Sequence, residues 1–374
     1  MSRTKKGTNI YLIVFGIIAV IIIAAALSTL LFNHKASAKN VSLSNLQNLG
    51  PAPNIRGISE WINYNSLGLS ENSSHLNMSQ LKGKVVLVDF WTYSCINCIR
   101  SIPHIEAWYN EYGKDGLVII GVSTPEFQFE HNYSNVLSAV KQFNITYPVA
   151  LDNNYSTWDA YSNEYWPADY LIDANGSIRY VALGEGGYNQ TAQVIRELLE
   201  SAGYSIPSYT TNVPLGVNFS DIGSPEMYFG YQELENGRTN YFGDSEGFHP
   251  DTKYNYTLSN VSRPNTIYLG GEWYSAPDSM IAVNGSEIFL IYQARKVNVV
   301  ASGNGTSTSI TVKLDGENLN ASYLGSDAHL VNGTAVVNVS ASRLYNIVSA
   351  PSYGSHILEI EAKPGFRIYT FTFG

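Results

Sequence analysis

Two hydrophobic rhythms follow one another along this chain. Val85 to Trp91 (VVLVDFW) is an apolar run broken only by Asp89, which predicts a strand buried on both faces. Cys98 to Tyr112 then changes to a helical period, and Gly116 to Ser123 (GLVIIGVS) returns to a buried strand. The alternation continues with a helix over Tyr133 to Phe143, a strand at Tyr147 to Leu151 and a short helix at Ser156 to Tyr161. Strands at Ala168 to Ile172 and Ile178 to Leu183 and a helix from Gln190 to Ala202 complete the pattern. Strand–helix alternation of this kind predicts a central sheet with helices on both faces, over residues 51–203.

Residues 204–222 carry Pro, Gly, Ser and Thr without period and read as a linker. Beyond them the rhythm becomes purely that of strands. Ser286 to Tyr292, Lys296 to Ala301, Ser309 to Leu314, Thr334 to Val339 and Ile357 to Glu361 alternate or run β-branched. Turn pairs at Gly303-Asn304, Asp315-Gly316 and Asn332-Gly333 separate them, so residues 223–374 are predicted to form a β-sandwich or jelly roll.

The remaining pattern lies at the front. Ile10 to Phe32 is uncharged and apolar, and Arg3, Lys5 and Lys6 precede it. That predicts one membrane helix with a cytoplasmic N-terminus (residues 1–33), a polar stalk (34–50) and residues 34–374 outside the cytoplasm. A cleaved leader ending at Ala36-Ser37-Ala38 is the alternative, although the apolar run exceeds the length such leaders use.

Composition narrows the picture. A hydrophobic fraction of 44% with 14% charged residues excludes wholesale disorder, and 374 residues suffice for two cores. The formal charge of -9, with no basic run after Lys6, excludes a nucleic-acid partner. Asn-x-Ser/Thr sequons recur through both halves, from Asn40 and Asn72 to Asn332 and Asn338, making an exported glycoprotein a candidate reading.

Only two cysteines are present, and both lie in one C-x-x-C, Cys95 to Cys98. The loop they would close is too short to stabilise a fold by chain entropy, so a reactive pair is favoured over a structural staple. No second C-x-x-C or H-x-x-x-H completes a zinc site, and no cofactor is expected. A cysteine at a helix N-terminus meets the positive end of the helix dipole, so Cys95 is expected to be the attacking thiolate and Cys98 the resolving thiol.

The segment VVLVDFWTYSCINCIRSIPHI resembles the thioredoxin superfamily. The resemblance implies that Asp89 relays a proton to Cys98, that Pro103 is the proline within the active-site helix, and that Trp166-Pro167 is the X-cis-Pro lying against the cysteine pair; Trp91 supports the same strand. The stretch from Phe129 to Leu151 resembles the insertion of TlpA/ResA-type and redoxin-like members. FWTYSCINCIRSIPHIEAW, YPVALDNNYSTWDAY and YWPADYLIDANGSIRY, with PEMYFGY, RLYNIV and FTFG in the tail, are similar to the extracytoplasmic part of DipZ-type proteins, whose tail is likened to carbohydrate-binding modules.

Two departures matter. One apolar run stands where DipZ-type proteins carry a multi-span electron-conducting region, so the resemblance implies a separate CcdA/DsbD-like membrane donor, or an oxidant. Ser101 occupies the place of a TlpA/ResA-like glutamate, for which Glu126 and Glu185 are candidate replacements or else solvated loop carboxylates. The expected function is a thiol–disulfide oxidoreductase acting on protein disulfides in cell redox homeostasis, as in cytochrome c maturation or disulfide quality control. Alternatives are a peroxiredoxin-like peroxidase and a surface glycan-binding protein with Trp273 and Tyr274 as a stacking platform. His104 is expected to flank the active-site helix, and Trp158, Tyr161 and Trp166 to form either a rim or core. The dipeptide Ile96-Asn97 leaves the direction of electron flow open.

Overall fold

The computed structural model describes residues 46–67, 75–206, 213–214, 217–235, 238, 242–303, 305 and 307–374. The apolar run at 10–32, the leader site at 36–38, most of the stalk and the sequons at Asn40, Asn72 and Asn304 lie outside the described residues. Among those described, no helix is long and apolar enough to cross a membrane.

The first lobe contains β1 (Trp61–Ile62), β2 (Val85–Trp91), α1 (Ile96–Tyr112), β3 (Leu117–Ser123), α2 (Tyr133–Gln142), β4 (Val149–Leu151), α3 (Ser156–Ala160), β5 (Ala168–Ile172), β6 (Ile178–Leu183) and α4 (Tyr188–Ser201). Its six strands form one mixed sheet in the order β1-β4-β3-β2-β5-β6, a thioredoxin-like fold. β2 runs parallel to β3 and antiparallel to β5 at the centre, and all seven of its residues are buried. A strand covered on both faces needs apolar side chains at odd and even positions alike, which is why its sequence does not alternate.

Helix α1 begins two residues before its expected start. Cys95 is its N-cap, with extended backbone (φ -72°, ψ 115°), and its sulfur accepts from the Cys98 N–H. Cysteine is not among the usual capping residues, so the sequence carried no start signal there. Pro103 lies inside the helix and is exposed, where its missing N–H costs the core nothing.

The second lobe is a large all-β unit. Its strands are β7 (Met227–Tyr228), β8 (Lys253–Tyr256), β9 (Ile267–Ser275), β10 (Met280–Gly303), β11 (Thr308–Leu314), β12 (Glu317–Asn318), β13 (Ala328–Val331), β14 (Thr334–Val339), β15 (Arg343–Ala362) and β16 (Phe366–Phe373), with a one-turn helix α5 (Tyr231–Glu235). All ten belong to one hydrogen-bonded network with β13-β14-β11-β15-β10-β16-β7 as its main path.

The two segments expected as separate strands, Ser286 to Tyr292 and Lys296 to Ala301, are one continuous strand, β10. Before the irregularity between Ala294 and Lys296 its core residues are Ile288, Leu290, Tyr292 and Ala294; after it they are Val297, Val299 and Ala301. A bulge shifts the pleat by one residue, so the hydrophobic phase flips and the pattern looks like two strands.

The lobes pack against each other within the compact body 46–374. From Val297 to Gly303 β10 is buried at every position, unlike its alternating first half. Val299 and Ala301 face the core of the second lobe, whereas Val300 joins Phe127, Tyr228 and Tyr369 in a cluster shared with the first. Phe127 and Phe129 lie 5.1 and 4.8 Å from the Tyr369 ring, and Tyr93, two residues before Cys95, lies 5.9 Å from Phe129. Burying four such side chains is worth roughly 2 kcal/mol each, enough to hold the lobes as one body.

Candidate active site

The dithiol stands where β2 runs into α1. Both cysteines are free, and the Cys98 thiol donates to Cys95 Sγ at 2.6 Å while the Cys98 amide donates to the same sulfur at 3.2 Å. Cys95 keeps 9% of its surface exposed, whereas Cys98 has none, so only Cys95 can meet a second molecule. The helix terminus does favour the Cys95 thiolate through these bonds. Burial nevertheless outweighs it and pushes the Cys95 thiol up, with the Glu226 and Glu126 carboxylates adding to the rise. The expectation of a lowered Cys95 pKa is therefore corrected: the apolar enclosure and two acids win over one helix end. The Cys98 thiol is raised further, first by burial and then by Cys95.

Beneath the pair lies a buried acid cluster. Asp89 is fully buried, and no amide or hydroxyl among the described residues donates to either of its oxygens. The residue opposite it on β5 is Asp169, in direct register. Burial first, then the Asp169 charge, holds the Asp89 carboxyl well above the usual range, and burial raises Asp169 to about 7. The Tyr147 hydroxyl is buried without a partner among the described residues; burial, then Asp89, opposes its ionisation. Gly121, beside Asp89 on β3, makes room for this packing, since a Cβ there would come within 2.9 Å of the Tyr147 ring and 3.0 Å of Trp91 Nε1. Asp169 and Tyr147 were not among the expected site residues. The signal that singled out Asp89, an acid inside an apolar strand, was equally present in ADYLID.

Residues 124–130 form a loop over the dithiol. Glu130 is buried and accepts from Ser94 Oγ (2.6 Å) and from the amides of Glu126 (2.6 Å) and Phe127 (3.0 Å), tying the loop to the residue before Cys95. Neither candidate glutamate is a solvated loop carboxylate. Glu126 is only 10% exposed and accepts from Tyr228 Oη (2.9 Å) and Arg238 Nη1 (2.8 Å); burial, then Glu226, raises it to about 8. Glu185 is instead clamped by Arg100 of α1, whose Nε donates to it at 2.8 Å. Glu126, Trp166, Glu226, Tyr228 and Arg238 line a cleft of about 240 Å³ that also contains Cys95. Glu226, Tyr228 and Arg238 come from the second lobe; the first two lie in the segment PEMYFGY, which carried a resemblance but no expected role at the site, and Arg238 carried no signal.

The Trp166–Pro167 peptide is cis, and Pro167 is buried just before β5. Trp158 and Tyr161 belong to the core around Phe90, while Trp166 stacks on Trp158 at 4.2 Å and reaches the cleft, so core and rim are both represented. Trp91 is wholly buried. Contrary to expectation, His104 neither caps nor flanks the active-site helix but lies buried within α1 and stacks on Tyr188 at 3.7 Å. Trp273 is no glycan platform: it is fully buried, and its indole N–H donates to Gly270.

Comparison with known proteins places these features in context. Residues 65–181 match the AhpC/TSA family and residues 224–374 the thioredoxin-like C-terminal domain. The chain is 35% identical over 351 residues to protein DipZ of Mycobacterium tuberculosis, covering 90% of this chain but 46% of that one. It thus spans about half the length of that relative. It is 26% identical over 150 residues to the thiol-disulfide oxidoreductase YkuV of Bacillus subtilis, covering 40% of this chain and 94% of that one. Among solved structures, a thioredoxin-like protein in its oxidised form aligns with 26% identity and a TM-score of 0.36, covering 41% of this chain and 96% of the other.

Proposed function

We propose that this chain, whose residues 65–181 match the AhpC/TSA family and which is similar to protein DipZ and YkuV, is a thioredoxin-like thiol–disulfide oxidoreductase that exchanges disulfides of exported proteins through Cys95 and Cys98, outside the cytoplasm, tethered by the apolar run 10–32. The observation that carries this reading is the asymmetry of the pair: Cys95 opens on a cleft, and Cys98 is sealed above Asp89 and Asp169.

In that mechanism the Cys95 thiolate attacks one sulfur of a substrate disulfide, forming the Cys95–substrate bond and releasing the other substrate sulfur as a thiolate. Cys98 then attacks Cys95 Sγ, the mixed disulfide breaks, and the second substrate thiolate leaves. Two electrons pass to the substrate, and the chain is left with a Cys95–Cys98 disulfide. The raised Cys98 thiol needs a base at this step, and the Asp89–Asp169 pair, two buried carboxyls facing each other across β2 and β5, supplies it. Trp166 borders the substrate's path to Cys95, the cis Pro167 follows it, and Trp91 and Pro103 support the strand and helix that present the dithiol. The reductant is a separate CcdA/DsbD-like membrane donor, and the reduced substrates are apo-proteins in cytochrome c maturation or disulfide quality control. The second lobe is read as a β-sandwich; with Trp273 buried, a glycan at that lobe has no support from this residue.

The reduction potential of the Cys95–Cys98 pair, measured by equilibration with glutathione or dithiothreitol buffers, tests the reading. A value near about -270 mV supports a reductase, one near about -120 mV an oxidant, and failure to form the disulfide overturns both. A peroxidase reading draws on the AhpC/TSA match, and peroxide consumption by the purified protein with a thiol reductant would favour it.

A further inference from the structure

The lobe without cysteines nonetheless reaches Cys95. Tyr228 Oη lies 2.9 Å from Glu126 Oε1 and 3.1 Å from Glu226 Oε2, and Arg238 Nη1 donates to the same Glu126 oxygen at 2.8 Å. A phenol owns one proton, so it can donate to only one of two carboxylates. Both contacts are hydrogen bonds only when the other carboxyl is itself protonated and donates to the phenol oxygen. Two ionised carboxylates would leave one of them facing an oxygen lone pair in an enclosed cleft, which is costly. The bridge therefore holds one proton between the lobes, and Arg238 offsets the negative charge that remains.

We propose that this Glu126–Tyr228–Glu226 bridge, with Arg238, belongs to the oxidoreductase site and sets how readily the Cys95 thiol ionises, making the C-terminal lobe a tuning component of the dithiol. The inference rests on the redox reading above. Its geometry is independent of any ligand: four groups from two lobes line one cleft with Cys95, the more accessible of the two cysteines.

The signs follow from the charges. With its shared proton the bridge is neutral overall; without it, one net negative charge faces Cys95 and disfavours the thiolate. Burial and Glu226 raise Glu126 to about 8, so the proton is present at neutral pH. Other charged groups surround the bridge. Glu130 stands behind Glu126, while Arg100 and Glu185 act on Glu226. Glu233 pairs with Arg238, and Glu164 lies on the open rim of the cleft. The two substitutions below leave all five in place.

The test is the rate at which iodoacetamide alkylates Cys95 between pH 6 and 10, in the folded protein and in Glu226→Gln and Arg238→Gln. Removing Glu226 leaves the rate at neutral pH nearly unchanged and speeds alkylation roughly threefold to tenfold above about pH 8, where the parent bridge has lost its proton; removing Arg238 slows alkylation by a similar factor. A merely structural role would move both in one direction through loosened packing, so equal signs, or changes under about twofold in both, overturn the proposal. Thermal unfolding identifies a variant that does not fold. Arg238, 36% exposed, leaves no void when replaced, so Arg238→Gln decides alone if Glu226→Gln is unfolded, and an unchanged or faster rate in it overturns the proposal. Failure of the parent protein to form the Cys95–Cys98 disulfide sinks the redox reading itself, a result separate from unmoved variants of an active protein.

Discussion

Two pairs of acids flank one dithiol, and they are built in opposite ways. Asp89 and Asp169 face each other across adjacent strands of a single sheet, fixed by register, with no amide or hydroxyl donating to Asp89. Glu126 and Glu226 come from different lobes and meet only through the Tyr228 hydroxyl and Arg238. The first pair is a local property of the sheet and persists wherever the sheet folds. The second exists only while the lobes stay docked. In the proposed mechanism the lower pair serves the buried Cys98, and the upper pair faces the accessible Cys95.

The sharpest way to break the comparison is at the lower pair. Asp89→Ala should slow mixed-disulfide resolution by about 100-fold, as loss of a positioned base does, read as accumulation of the substrate adduct on Cys95 in a quenched time course. The same substitution should raise stability. Relieving a carboxyl that is fully desolvated and accepts from no amide or hydroxyl among the described residues is worth about 1–3 kcal/mol, against roughly 0.5 kcal/mol for the small void left behind. A fall in the denaturant midpoint would show that its contact with Asp169 outweighs its desolvation.

Next in size is the docking of the lobes. Phe127→Ala empties the shared aromatic cluster and should cost about 3–5 kcal/mol, measured by urea unfolding. At denaturant concentrations where this variant is still folded, the alkylation profile of Cys95 should shift and the resolution rate should not, because only the upper pair depends on docking.

The pH dependence of stability should separate the pairs more finely. Asp169 binds a proton more tightly when folded, with its value raised to about 7 against about 3.9 for an unfolded aspartate. Its contribution is fully present below about pH 4 and is lost as pH rises toward 7. Asp169→Asn should flatten the fall in melting temperature between pH 4 and 7, whereas Glu126→Gln should act over a window reaching about pH 8. An unchanged slope in both variants would mean that neither acid is held protonated.

The smallest effect on exchange is expected at Glu185. Glu185→Gln weakens a mostly buried, two-pronged pair with Arg100 and should cost about 1–3 kcal/mol of stability, with exchange rates unchanged. A marked change in rate would transfer to Glu185 the tuning assigned to Glu126.

Much of this molecule was legible in its residues. The apolar runs of β2 and β3 carry their own bounds, because a strand covered on both faces cannot be mistaken for an alternating one. The C-x-x-C at a strand–helix junction located the chemistry, and an acid inside VVLVDFW marked Asp89, since only function or a partner justifies a charge there. The three-dimensional arrangement decided the rest. A bulge merged two expected strands into β10 by flipping the side-chain phase, which no local window registers. Burial overrode the helix end at Cys95, since enclosure comes from residues distant in sequence. Glu226, Tyr228 and Arg238, more than 120 residues beyond Cys95, reach its cleft only because Val300 and Tyr369 dock on Phe127. Local pattern fixes what a segment becomes, while contact across long sequence separation fixes what that segment faces, and the ionisation of a thiol depends on what it faces.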